Sequence, residues 1–146
     1  MSNKMTEKVV LCPYALYSID GQLSLNPGKD PKGSNGFIEE IESKIFIKVN
    51  TIQRFIEIEK LDLTQKYNIK IDVEGAEFEL LKVWNFDVYK PVIMLSTHSR
   101  ELTIKCVSLL GEHYSEFVAI GYSINGTIVT KDFIKEKNWS PFVALK

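Results

Sequence analysis

The stretch from Tyr67 to Ser96 constrains the fold more than any other part of this chain. YNIKID reads as a short strand, GAEFELLKVW puts Ala76, Leu80, Leu81 and Trp84 on one helical face, and PVIMLS is a continuous apolar run of the kind buried on both faces of a parallel sheet. Strand, helix and buried strand in that order predict an α/β sheet. At the first junction, KIDVEGAEFE places four carboxylates, Asp72, Glu74, Glu77 and Glu79, between strand and helix. Ligands of open α/β sheets sit outside the carboxyl ends of the parallel strands, and Asp72 ends one. Gly75 lets the backbone turn sharply, while Glu74 and Glu77 fall near the helix N-terminus, where the dipole and free N–H groups favour negative charge. Helix capping needs one such acid, worth about 1 kcal/mol, and this turn has three within six residues. Capping and a functional role both stay open for Asp72.

The flanking chain fits the same class. KVVLCPYALYSI, Lys8 to Ile19, begins as a β-branched run suited to a buried strand, with Pro13 ending its ladder on one side. DGQLSL adds a turn and a short strand, and NPGKDPKGSNG, Asn26 to Gly36, is a loop of the type that often carries function. SKIFIKV alternates Ile45, Ile47 and Val49 on one strand face, and TIQRFIEIEKL has Ile52, Phe55 and Ile56 at helical spacing with Asn50 or Thr51 as its cap. RELTIKCVSLLGEHY is a helix that brings Leu102, Cys106, Leu109 or Leu110 and His113 round one stripe, with His113 placed to meet the C-terminal dipole. EFVAIGYSINGTIVT reads as a hairpin around Asn125-Gly126, and WSPFVALK as a last strand. The class is α/β with an antiparallel C-terminal hairpin.

A chain of 146 residues with 45% hydrophobic content forms one domain with a real core. Its formal charge of -1 carries no basic field for nucleic acid, so a small or neutral substrate is the simpler expectation. Cys12 and Cys106 both lie in apolar segments, where a buried free thiol is usual, and no disulfide framework or CxxC metal site is implied. No apolar run approaches the roughly 18 residues of a membrane span. These features predict a cytoplasmic protein without membrane contact. Trp84, Phe86 and Trp139 read as core or rim aromatics.

IKIDVEGAEFELLKV resembles the signature of the FkbM-type S-adenosylmethionine-dependent methyltransferases over Lys70 to Glu77. YALYSIDGQLSL resembles the family's Ala-containing strand end and short hairpin. VNTIQRFI resembles the stretch before the signature, with Ile52-Gln53 where the family has Leu-Asp, and PVIMLSTHS resembles the fifth strand, with Ser96 or Thr97 in place of an acid. Gly121-Tyr122, a hairpin and a closing strand complete a likeness that spans Lys8 to Leu145. The resemblance implies a Rossmann-like methyltransferase sheet with helices packed on it, S-adenosylmethionine as cofactor, and O-methylation of a sugar or small metabolite. It puts Asp72 and Glu74 beside the reacting centre and His98 in the same crevice as a candidate general base, though a surface loop histidine reads the same. Ala15 and Tyr17 fall at positions that flank the adenine, or simply pack a strand end. Ser34, Asn35 and Glu77 are candidate substrate contacts; turn geometry accounts equally for the first two. Asp72, Glu74 and Glu77 offer hard oxygen ligands, but no DxD or His-containing spacing supports a cation, and no metal is expected.

The chain has no Gly-rich turn after a first strand and no ribose-binding acid after a second. The first two strand–helix units of the family have no counterpart, and they belong between its third and fourth strands. That predicts a partial sheet with an open edge on the strand ending at Asp72. The early strand could pair with that edge, a second copy or complementing chain could fill it, or the sequence could be a fragment. The alternative to an enzyme is therefore a non-catalytic, truncated module that binds a partner through the edge.

Overall fold

The acidic turn lies at the carboxyl end of an edge strand in a computed structural model that describes residues 9–26, 37–38, 45–121 and 126–145. In chain order the elements are β1 (Ala15–Leu16), β2 (Gly21–Asn26), β3 (Phe37–Ile38), β4 (Phe46–Asn50), α1 (Ile52–Glu59), β5 (Asn68–Ile71), α2 (Glu77–Leu81), β6 (Val92–Leu95), α3 (Arg100–His113), β7 (Phe117–Ala119), β8 (Thr127–Val129), α4 (Lys131–Lys137) and β9 (Phe142–Ala144). They form two mixed sheets in the α/β, Rossmann-like class. One has the order β1-β4-β2-β3, with β1 parallel to β4 and the other pairs antiparallel. The other has the order β5-β6-β9-β7-β8, with β5 and β6 parallel and the rest antiparallel.

The second sheet carries the core. Ile93, Leu95, Phe117, Phe142 and Ala144 are buried along its strands, and α3 covers them with Cys106, Val107 and Leu110. α2 adds Leu80 and Leu81, and Trp84 and Phe86 stack at 5.5 Å just beyond it. Helix ends follow the expected chemistry: Thr51, Ser99 and Thr130 each accept a hydrogen bond from a backbone N–H of the turn they cap. The C-terminal hairpin is present as β7 and β8; Asn125 of the predicted turn lies outside the described residues, while Gly126 has φ 79 and donates to the Ala119 carbonyl. No helix among the described residues is long and apolar enough to cross a membrane.

Several expectations need correction. The predicted buried strand from Lys8 to Ile19 shrinks to Ala15–Leu16, and Val9, Val10 and Leu11 are 58%, 77% and 86% exposed. Pro13 lacks the N–H a ladder requires, and pairing begins only beyond it. β1 does not add to β5; it runs parallel to β4, with Ala15 opposite Val49. Both β5 and β1 consequently end their sheets with one free edge among the described residues. Ile45 is exposed and Val49 buried, so the apolar alternation of β4 faces the core at one end only. α4 was not anticipated, because seven residues with adjacent Phe133 and Ile134 show no helical period. Cys106 is buried and its thiol is pushed up to about 12 by burial, with the Glu77 charge adding and Lys105 opposing, whereas Cys12 is only half-buried, with Sγ 3.4 Å from Glu59 Oε1.

Candidate active site

β5 and β6 are parallel neighbours with Ile71 opposite Leu95, so residues at equal distances beyond that pair arrive side by side. Glu74 and His98 are each three positions beyond it. Immediately after β5 the chain reverses through Glu74, with φ 46, and Gly75, with φ 100. A Cβ on Gly75 would meet nothing within 4 Å, so its backbone conformation, rather than crowding, calls for glycine. α2 starts after Ala76 with no side-chain cap bond, so Asp72 and Glu74 are not its caps. Glu77 instead reaches back with Oε1 to accept from the Gly75 N–H at 3.2 Å.

His98 completes the cluster. Its Nδ1 is 2.5 Å from Glu77 Oε1, and its Nε2 lies 3.5 Å from Asp72 Oδ1 and 3.4 Å from Glu74 Oε2. The residues on either side fix the ring's position. Thr97 donates its N–H to Ser140 Oγ at 2.8 Å and shares a hydroxyl contact with Thr103, while Ser99 caps α3. Lys70 pairs with the other Asp72 oxygen at 3.0 Å. Glu79 belongs elsewhere, bonded to Ser18 at 2.8 Å and Lys82 at 2.6 Å.

Burial alone would lower the His98 pKa, but the Glu77 hydrogen bond and the charges of Glu77, Glu74 and Asp72 outweigh it and hold the imidazole above 6.5. The protonated ring is the better bound form. Its stabilisation is complete below about pH 6.5 and is lost as pH rises through the folded-state value. An NMR titration of the His98 ring in metal-free buffer should show a midpoint above that of a free histidine, moving down in Glu77→Gln. A wild-type midpoint at or below about 6.5 contradicts this electrostatic account.

Next to the cluster a cavity of about 390 Å³ opens between β1 and β5, lined by Ala15, Tyr17, Ile71, Glu74, Gly75 and Trp84 among others. Strand-end residues far apart in sequence thus meet one acidic turn. A family model described as the methyltransferase FkbM domain matches residues 5–124. The chain belongs to the FkbM methyltransferase family. Neither the curated proteins nor the solved structures compared gave a match. For an FkbM methyltransferase, membership implies S-adenosylmethionine as the general methyl donor.

Of the residues singled out in this FkbM-family sequence, Asp72, Glu74 and His98 meet, and Ala15 and Tyr17 share a cavity with Glu74. Glu77, expected at substrate, is fully buried beneath His98. Ser34 and Asn35 lie outside the described residues. His113 ends α3 as expected, against the Phe86 ring at 4.9 Å. The supporting roles of Lys70, Thr97 and Ser140 were missed; Lys70 and Thr97 were findable as residues flanking the ends of two adjacent parallel strands, whereas Ser140 carries no local signal.

Proposed function

We propose that the chain transfers a methyl group from S-adenosylmethionine to a hydroxyl oxygen of a sugar or small metabolite, in the cytoplasm and without nucleic acid or membrane as partner. The observation that carries this reading is the meeting of Asp72 and His98 with Glu74, which itself lines the cavity between β1 and β5. At about 390 Å³ the cavity is within the roughly 300–1,000 Å³ of small-molecule sites. Its apolar wall, with Ala15 and Tyr17, suits an adenine ring, and Glu74 suits the donor's positive charge. S-adenosylmethionine supplies an electrophilic methyl group when bound. The chain's own residues then position and deprotonate the acceptor. Glu77 holds Nδ1, which leaves His98 Nε2 as the atom to take the hydroxyl proton. Asp72 and Glu74 stabilise the imidazolium that results, and Glu77 acts on the acceptor only through His98.

A second reading is favoured by the edges of β5 and β1, free among the described residues: a non-catalytic module that a second copy or another chain completes by adding a strand. Two free cysteines accord with a reducing cytoplasm in either case. Calorimetric titration of the chain with S-adenosylmethionine separates the readings. Micromolar affinity is expected for the enzyme. No detectable heat, together with a stable dimer by light scattering, would favour the module and sink autonomous catalysis.

A further inference from the structure

The structure assigns to Asp72, Glu74 and His98 a binding site for one divalent cation. Each residue offers one ligand atom, and the three atoms lie within 4.8 Å of one another. The separations of 3.5 Å and 3.4 Å from Nε2 to the two carboxylates exceed the roughly 2.7–2.9 Å of a charge-assisted hydrogen bond. They match the spacing of ligands that flank one metal at about 2.0–2.2 Å each. No short motif announces the site, because its ligands come from the ends of two strands.

Glu77 supplies an independent observation. It is fully buried, its Oε1 holds His98 Nδ1, and its Oε2 has no hydrogen-bond partner. A carboxylate held against Nδ1 orients the ring and leaves Nε2 as the outward donor, which is the carboxylate–histidine–metal arrangement found behind protein-bound cations. Held so, the imidazole presents Nε2 to Asp72 and Glu74 with its basicity raised by the buried carboxylate behind it. The charge balance points the same way. Three carboxylates meet one imidazole and one lysine, and Lys70 reaches only Asp72 Oδ2.

Two oxygens and one nitrogen suit a cation that takes both carboxylate and imidazole ligands, such as Mn²⁺ or Zn²⁺. Three protein ligands with solvent beyond Asp72 leave open positions, as in catalytic rather than structural sites. The assignment goes beyond methyl transfer and does not rest on it. The two roles of Nε2 exclude each other: it acts as base in the metal-free chain and as ligand once a cation is bound.

The test is a titration of the full chain with MnCl₂, counting bound Mn²⁺ by electron paramagnetic resonance and following both histidine rings by NMR. One Mn²⁺ per chain is expected, with the His98 resonances broadened well before those of His113. Asp72→Asn and Glu74→Gln, which alter partly exposed side chains of unchanged shape, should each weaken binding at least about tenfold, and Glu77→Gln about 10–100-fold. Circular dichroism checks that these variants fold. Equal broadening of both histidines, no binding at millimolar Mn²⁺, or unchanged affinity in Asp72→Asn would overturn the assignment.

Discussion

Phe142→Ala should lower the free energy of unfolding by about 3–5 kcal/mol. β9 is the central strand of the second sheet, paired with β6 and β7, and Phe142 faces Leu95 on one side and Ala119 on the other. Its ring is fully buried and lies 6.0 Å from that of Phe117. Truncation removes the burial of a large aromatic ring and leaves a void that a β-ladder on both sides cannot close, so the transfer and cavity penalties add. Urea unfolding followed by tryptophan fluorescence measures the loss. Phe142→Leu, which keeps most of the volume, should cost markedly less. A change of under about 1 kcal/mol for Phe142→Ala would mean that β9 does not hold the middle of the sheet.

His98→Ala should cost about 2–3 kcal/mol in metal-free buffer near neutral pH. The cause is Glu77, which is fully buried and would lose the ring that accompanies its carboxylate. Breaking a fully buried pair costs about 3–5 kcal/mol, and the smaller figure reflects the His98 side chain's 32% exposure, which lets solvent screen the remaining charge. Glu77→Leu combined with His98→Ala should recover most of the loss, since the apolar replacement leaves no charge to strand. If the double variant is no more stable than His98→Ala alone, the imidazole contributes packing rather than charge compensation.

What could be read from the chain depended on how locally it was written. The β5–α2–β6 unit was legible because the strand period, the glycine turn and the buried apolar run are each set by neighbouring residues. Asp72, Glu74 and His98 could be nominated individually. That His98 Nδ1 would rest on Glu77 could not, because their contact spans 21 residues and depends on the parallel register of two strands. Val9 to Leu11 misled for a related reason: β-branched composition states a preference for a strand, while pairing requires a neighbour the described chain does not offer there. Helix α4 was hidden by its brevity, although Thr130 and Asn138, its cap and left-handed C-terminal residue, were both in view.

The separation of the two ladders has a mechanical consequence. Backbone ladders join the strands within each sheet, yet among the described residues none of the strand pairings crosses from β1 to β5, so side chains such as Ile52 on α1 carry the join. The cavity therefore lies along a seam. An occupant that touches both margins would act as a splice, stiffening the alignment of the two halves as it binds, and part of its binding free energy would be spent on that alignment instead of on affinity.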